Sequence, residues 1–322
     1  MKKTILDMLR NSGENFLSGE TIAEKLKISR TAVWKHIRGL RNNGYEIQSS
    51  ERLGYKLQET PDLLLPEIIQ HELHSKIIGA EIIHKNSVDS TNRLAKKLAD
   101  NGAADGTVIV AEEQTGGKGR LERNFFSPKE KGAWFSIILR PKCLPKDAPK
   151  FTLLAAVAVA RAMERFNLRA EIKWPNDILF DGRKLVGILT ELSAEISRVN
   201  YIVVGIGINV NVNRAEFPAE LQKIAASLSE MNGGKNLSRA DFFRAVLEEF
   251  DRLYAAKNFD ETFKLWRKFN VTLGKNINVI SAETGDTFSG VAVDIDADGA
   301  LIVDTETGRQ VVYAGDVSIR AK

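Results

Sequence analysis

The sequence holds one cysteine, Cys143, and only four histidines, at positions 36, 71, 74 and 84. A single cysteine excludes an intrachain disulfide and any metal site built on paired thiolates. His71 and His74 could ligate a metal together, but a solvated helix face is the commoner reading of such a pair, and no metal site is expected. Long apolar runs are also missing. The longest, Leu153–Ala160, covers eight residues, where a bilayer needs roughly 20. No membrane partner is expected. The opening MKKTILDMLRNSGEN puts Asp7 and Arg10 where a signal peptide needs an apolar core, so the expected location is cytoplasmic. What is present, 322 residues with 43% hydrophobic and 27% charged, describes a globular chain long enough for two or three domains.

The net charge of +4 is placed unevenly. Residues 1–60 carry 11 Lys or Arg against 7 Asp or Glu, whereas the other 262 residues carry 35 of each. The whole excess lies in one short segment, which points to an anionic partner there. Ile5, Leu6 and Leu9 share a helical face. Ser18 is a candidate N-cap for a second short helix through Ile22 and Leu26. A third helix starts at Ser29 or Arg30 and buries Val33, Ile37 and Leu40. NNGYEIQSSERLGYKL then alternates, with turns at Gly44 and Gly54, as a two-stranded wing does. The pattern is a winged helix-turn-helix. Protein contact is the alternative use of that shape. DNA binding is favoured because Arg30, Thr31, Trp34, Lys35 and Arg38 share the exposed face of the third helix, while Arg52 and Lys56 of the wing would track phosphates. Trp34 fits either packing or contact. TPDLLLPEI reads as a linker.

Strands and helices mix through the next two hundred residues. Asp89 or Ser90 can cap a helix through Leu94, Ala95, Leu98 and Ala99. TVIVAEEQ, AWFSIILR, EIKW, VGILTEL and NYIVVGIGINV read as strands, and FTLLAAVAVARAMERF as a buried helix. Ser238 with Asp241 announces another helix. From about Val271, short alternating strands with turns at Thr284–Asp286, Asp298–Gly299 and Gly308 form a small β barrel or sandwich.

Two glycine motifs need care. In EEQTGGKGRLERNFFSP, Gly116, Gly117 and Gly119 mingle with Lys118, Arg120 and Arg123. The P-loop pattern fails, because Glu112 stands where its first glycine should be and Gly119 follows Lys118 in place of Ser or Thr. GIGINV lacks the third glycine of a dinucleotide fingerprint, since Val210 stands there. KWPND sets Lys173, Asn176 and Asp177 around a proline turn, and GRKLVGI sets Lys184 beside Gly187. Each alone is an ordinary surface turn. Together with the glycine loop they describe a site that attracts anions.

These landmarks, in order, carry a resemblance. DSTN at 89–92, Gln114, GKGRLER followed by FFSP, KWPND at 173–177, RKLVGIL at 183–189 and GIGINV at 205–210, behind a helix-turn-helix, resemble the bifunctional biotin–protein ligases that also act as biotin operon repressors. The likeness covers essentially the whole chain. That family's loop usually runs GRGRxGRxWxSP. Here Lys118 replaces Arg, Glu122 replaces Gly and Phe125 replaces Trp, changes that bear on loop kinetics and adenylate retention.

The resemblance implies an α+β multidomain chain: a winged helix-turn-helix at 1–62, a catalytic domain at 63–270 with the mixed sheet and helices of class II aminoacyl-tRNA synthetases, and an SH3-like barrel at 271–322. It implies that biotin and ATP, with Mg²⁺, give biotinyl-5′-AMP, whose acyl group passes to a lysine of a biotin carboxyl carrier protein. It also implies biotin-responsive repression at operator DNA by a ligand-promoted homodimer. A lipoate–protein ligase and a non-catalytic biotin-sensing repressor are the alternatives. By the same resemblance Ser90, Thr91, Asn92, Gln114, Lys118, Gly119, Arg120, Trp134, Lys184, Gly187 and Ile188 meet biotin. Lys118, Arg120, Arg123, Lys184, Asn209 and Phe217 meet the nucleotide, and Lys184, Arg120 and Asp177 serve the chemistry.

Overall fold

The computed structural model describes residues 1–281, 286–313 and 317–321. The turn read at Thr284 lies outside them. The chain divides into two compact units, Met1–Leu63 and Leu64–Lys322.

In the first unit α1 (Lys2–Asn11) buries Ile5, Leu6 and Leu9. α2 (Gly19–Leu26) starts where the Ser18 hydroxyl accepts from Thr21 N at 3.0 Å. α3 (Arg30–Arg41) starts where Ser29 Oγ accepts from Ala32 N at 3.1 Å and buries Val33, Ile37 and Leu40. Each such cap stabilises its helix by about 1 kcal/mol. β1 (Glu46–Ser50) and β2 (Gly54–Glu59) pair antiparallel, with Ile47 opposite Leu57.

The second unit opens with α4 (Pro66–Ile69), a single turn. His71 and His74 lie in the turn and loop after it, exposed, and so not on a helix face. The following elements are β3 (Ile82–Lys85), α5 (Thr91–Asp100), β4 (Val108–Ala111), β5 (Gly132–Leu139), α6 (Ala148–Arg165), β6 (Glu171–Lys173), β7 (Asp177–Phe180), β8 (Arg183–Glu195), β9 (Arg198–Asn209), α7 (Leu228–Met231), α8 (Arg239–Ala255) and α9 (Asp260–Phe269). Strands β3 to β9 form one mixed sheet in the order β3-β4-β5-β9-β8-β7-β6, parallel only between β3 and β4. All eight residues of β5 are buried, because helices cover both faces. Ala95 and Ala99 of α5 pack with Ile138 and Val203 on one face. On the other, Phe243 of α8 meets Phe135 edge-on, with centroids 4.7 Å apart.

The registers line Trp134, Gly207, Gly187 and Asp177 across β5, β9, β8 and β7. Directly paired residues point to the same side of a sheet, so this row shares the α5 face. β10 (Asn276–Ser281), β11 (Thr287–Ile295), β12 (Leu301–Thr305), β13 (Gly308–Val312) and β14 (Val317–Ala321) form a separate antiparallel sheet, with β14 returning beside β10. The Asp298–Gly299 turn joins β11 to β12, and Gly308 opens β13. Among the described residues, no helix is long and apolar enough to cross a membrane.

Candidate active site and nucleic-acid interface

Two adjoining clefts lie over the α5 face. The wider, about 300 Å³, is lined by Arg120, Arg123, Lys173, Lys184 and Asp177 among its charges and by Phe126, Trp174, Phe217, Leu221 and Ile224 among its apolar walls. The narrower, about 30 Å³, is lined by Ser90, Thr91, Asn92, Gln114, Lys118, Gly187 and Ile188. Gly119, Phe125, Asn176 and Lys184 belong to both and form the wall between them.

Four cations against one carboxylate make the wider cleft a place for an anion. Lys184 stands 2.7 Å from Asp177 Oδ1, one strand away in the β7–β8 pairing. Arg120 Nη1 donates to Asn176 Oδ1 at 3.3 Å. Asn176 itself is fixed by its Nδ2 donating to Ile188 O at 2.8 Å. Lys184 N donates to Ile224 O at 2.7 Å and Ala226 N donates to Lys184 O at 2.9 Å, so residues 224–226 lie along the edge of β8 and close one side. Asn209 Nδ2 donates to Ala226 O at 2.9 Å, which spends that amide on holding the wall. Phe126 and Phe217 meet at 5.9 Å within an apolar cluster that includes Val212 and Leu221, a surface suited to a flat ring.

The narrow cleft is polar and already satisfied. Thr91 N and Thr91 Oγ1 both donate to Gln114 Oε1, at 2.8 and 3.1 Å. Gln114 Nε2 donates to Ser127 Oγ at 3.0 Å. The Ser136 hydroxyl donates to Asn92 Oδ1 at 2.6 Å and lies 2.7 Å from Thr91 Oγ1. Asn92 Nδ2 donates to Leu189 O and Glu191 Oε2. Asn92 therefore spends its amide on fastening α5 to the sheet. Ser90 is the N-cap residue of α5 without a capping bond from its side chain; the Asp89 carboxylate accepts from Ser90 N instead, at 2.6 Å.

The cleft is narrow because Phe125 occupies its floor. A Cβ on Gly187 would come within 2.7 Å of the Phe125 ring, and one on Gly207 within 2.6 Å, so two bare glycines are what let the ring lie on the sheet. Phe125 also meets Trp134 edge-on at 6.0 Å. Trp134 is fully buried and lines neither cleft; its Nε1 donates to Pro128 O at 3.1 Å. Lys184 Nζ lies 5.7 Å from the centre of the Phe125 ring.

The glycine loop is a tight turn closed by Gly119 N donating to Arg123 O at 2.7 Å. Leu121 and Glu122 both take left-handed conformations, at φ 54° and 56°. The family's glycine at the second position would adopt that conformation without strain. The turn brings the Glu122 carboxylate to the Lys118 ammonium, whose hydrogen bond and charge hold it below the ordinary carboxylate range.

Residues 85–209 match the biotin/lipoate A/B protein ligase family, residues 2–56 a helix-turn-helix domain and residues 272–320 the biotin protein ligase C-terminal domain. The bifunctional ligase/repressor BirA of Bacillus spizizenii is 39% identical, over 99% of this chain and 98% of its own. The chain belongs to the bifunctional ligase/repressor family. The Escherichia coli member is 28% identical over 95% of this chain and 94% of its own. The biotin protein ligase of Aquifex aeolicus, solved in complex with biotin and ATP, is 29% identical and superposes with a TM-score of 0.64, over 76% of this chain and 100% of that one.

As in a ligase/repressor, a second candidate surface lies in the first unit. Arg30, Thr31, Trp34, Lys35 and Arg38 are all exposed on α3. Trp34 is 49% exposed with the Arg38 guanidinium 5.5 Å from its ring centre, so it belongs to the surface and not to the core. Arg52 is exposed in the wing, whereas Lys56 is partly buried and pairs with Glu14. Arg41 Nε donates to Ile47 O at 3.0 Å and so ties α3 to the wing.

The clefts thus gather every expected biotin and nucleotide residue except Trp134. KWPND already sets Lys173 and Asn176 in the anion site, without a ligand role for either, while Phe126, Ser127 and Ser136 are additions that only the structure makes. Ser136 left a usable signal: it is the lone polar residue in the buried run AWFSIIL, where a hydroxyl must find a partner.

Proposed function

We propose that this chain is an ATP-dependent biotin–protein ligase that also acts as a biotin-responsive transcriptional repressor. The observation that carries the ligase half is the wall shared by the two clefts. A narrow polar cleft suited to biotin and a wide cationic cleft suited to ATP meet at Lys184.

The first step joins two anions. The carboxylate of biotin attacks the α-phosphorus of ATP, the bond to pyrophosphate breaks, and biotinyl-5′-AMP remains; Mg²⁺ brought in with ATP would help neutralise the phosphates. Fixed cations and N–H donors lower such a barrier without a covalent nucleophile. Lys184, Arg120, Arg123 and Lys118 supply the charge, each pairing worth on the order of 4 kcal/mol at an intermediate effective dielectric. In the second step an acceptor lysine amine attacks the acyl carbon, AMP leaves, and Asp177 orients the amine or takes its proton. Ser90, Thr91, Gln114, Gly187 and Ile188 hold the ring system, Asn92 acts from behind by fixing α5, and Asn209 and Phe217 shape the nucleotide side. The acceptor is a biotin carboxyl carrier protein.

The α3 face supports operator binding through Arg30, Thr31, Trp34, Lys35 and Arg38, with Arg52 and Lys56 near phosphates. A homodimer formed through the central sheet is supported by the edge of β8. β7 covers that edge only as far as Gly187, and beyond it Leu192 is 45% exposed and Ile196 fully so. Ultracentrifugation with and without biotin and ATP tests the dimer, and an unchanged monomer would count against it. The division at 1–62, 63–270 and 271–322 and the class II synthetase-like likeness of the central domain complete the reading. The return of β14 beside β10 supports an SH3-like closure of the last domain.

Mass spectrometry of a biotin acceptor domain, incubated with the protein, biotin and ATP, is expected to show the increment of one biotinyl group. Biotin binding without that increment would leave a non-catalytic sensor. An increment from lipoate in preference to biotin would leave a lipoate ligase.

A further inference from the structure

The most deeply buried charges lie outside both clefts. Glu112, directly after β4, is 1% exposed, and Arg239, the first residue of α8, is fully buried. Buried charges persist only with partners. Glu112 Oε2 accepts from Arg239 Nη1 at 2.9 Å, while Oε1 accepts from Leu64 N at 2.8 Å and lies 3.0 Å from His84 Nε2. Burial works to raise the Glu112 pKa, but His84, Arg239 and the Leu64 N–H together hold it below its ordinary value.

These partners come from places with different duties. Arg239 Nη1 also donates to Gly132 O at 3.0 Å, and Glu130 N donates to Glu112 O at 2.9 Å. Residues 112 and 132 are the two ends of the segment that carries Gln114 and the whole glycine loop. One guanidinium and one carboxylate therefore close the neck of the ligand-binding segment. The other contacts of that carboxylate are His84 Nε2 of β3 and the N–H of Leu64, the first residue of the second compact unit, where the chain arrives from the helix-turn-helix. Gln114, which accepts from Thr91 in the narrow cleft, is two residues from Glu112.

We propose that Glu112 is a coupling residue, whose carboxylate ties the neck of the ligand-binding segment to the linker and so relays occupancy of the clefts to the DNA-binding unit. The proposal rests on the ligase/repressor reading and adds how its two halves communicate. Coupling requires an element whose state both sites bias. A solvated ion pair would absorb a small shift by rearranging with water. A buried carboxylate with fixed donors in three directions passes the shift on.

Glu112→Gln would strip Arg239 of its counter-charge and test stability as much as coupling. Leu64→Pro is cleaner, because it removes one N–H donor and leaves Glu112, Arg239 and His84 in place. Leu64→Ala keeps the donor and deletes the packing. The DNA probe is a duplex selected from a random-sequence pool by the liganded wild-type protein. In wild type, biotin with ATP is expected to raise affinity for that duplex by about tenfold or more. Leu64→Pro is expected to keep acceptor biotinylation within about twofold of wild type and to lose that gain, while Leu64→Ala retains it. A full gain in Leu64→Pro, or an equal loss in Leu64→Ala, overturns the proposal. Should Leu64→Pro lose biotinylation as well, hydrogen exchange on the wild-type chain decides. The Leu64 amide is expected to exchange about tenfold more slowly with biotin and ATP bound, and an unchanged rate overturns the coupling. The same measurement separates the two ideas: a wild-type protein whose DNA affinity ignores ligand refutes the repressor half, while the Leu64 exchange rate still reports on the joint.

Discussion

The two clefts share a wall yet differ tenfold in open volume, about 30 against about 300 Å³. Sites for small organic ligands usually offer roughly 300–1,000 Å³. The wide cleft meets that standard as it stands, with its cations and aromatic walls set in place. The narrow one holds about two water molecules. Its polar groups bond one another, and its glycine floor carries the ring of Phe125. One cleft is thus open, while the other is occupied by the protein's own side chains, which a ligand there would have to displace.

The comparison can be broken at the shared wall first. Lys184→Ala is expected to slow biotin-dependent pyrophosphate release by about 100-fold or more, as removal of a positioned charge donor does elsewhere. Loss of the fold is not expected, since the side chain is 37% exposed. A loss below tenfold would mean that the clefts do not meet at this ammonium. Phe125→Ala sharpens the contrast at the next level. Freeing the glycine floor raises the fraction of molecules ready for biotin, so stopped-flow association should quicken by about tenfold. ATP affinity should stay within about twofold of wild type, and equal changes in both would dissolve the distinction. Glu122→Gln has the smallest expected effect. Lys118 would no longer be neutralised from within the loop, and the biotin concentration for half-maximal rate should fall about two- to threefold, as suits an exposed pair. A rise in that concentration would show that Glu122 assists binding and does not compete with it.

Much of the fold was legible in the sequence. The stripes Ile5/Leu6/Leu9 and Val33/Ile37/Leu40 and the cap at Ser18 fix the first unit, because helix burial and capping are local. The landmarks of the glycine loop, KWPND and RKLVGIL converge on one wall, as their shared anion chemistry implied. What stayed hidden depends on contacts distant in sequence. Asn92 meets Ser136 across 44 positions, and Arg239 meets Glu112 across 127. Neither pairing leaves a periodic trace. The resemblance makes Trp134 a ligand wall, but it lines neither cleft, whereas the loop residue Phe125, which meets its ring edge-on, lines both. The Glu122 substitution, unexplained by anion binding alone, becomes intelligible once the turn sets it against Lys118.

The central claim is that the two clefts activate biotin with ATP at one wall. Pyrophosphate release by the wild-type chain, measured with ATP alone and with ATP and biotin before any acceptor is added, tests it most directly. The account predicts a burst of about one pyrophosphate per site that appears only with biotin and is followed by slow turnover, because the adenylate is held against water. Release at the same rate with and without biotin, or no release while biotin binds, would contradict it.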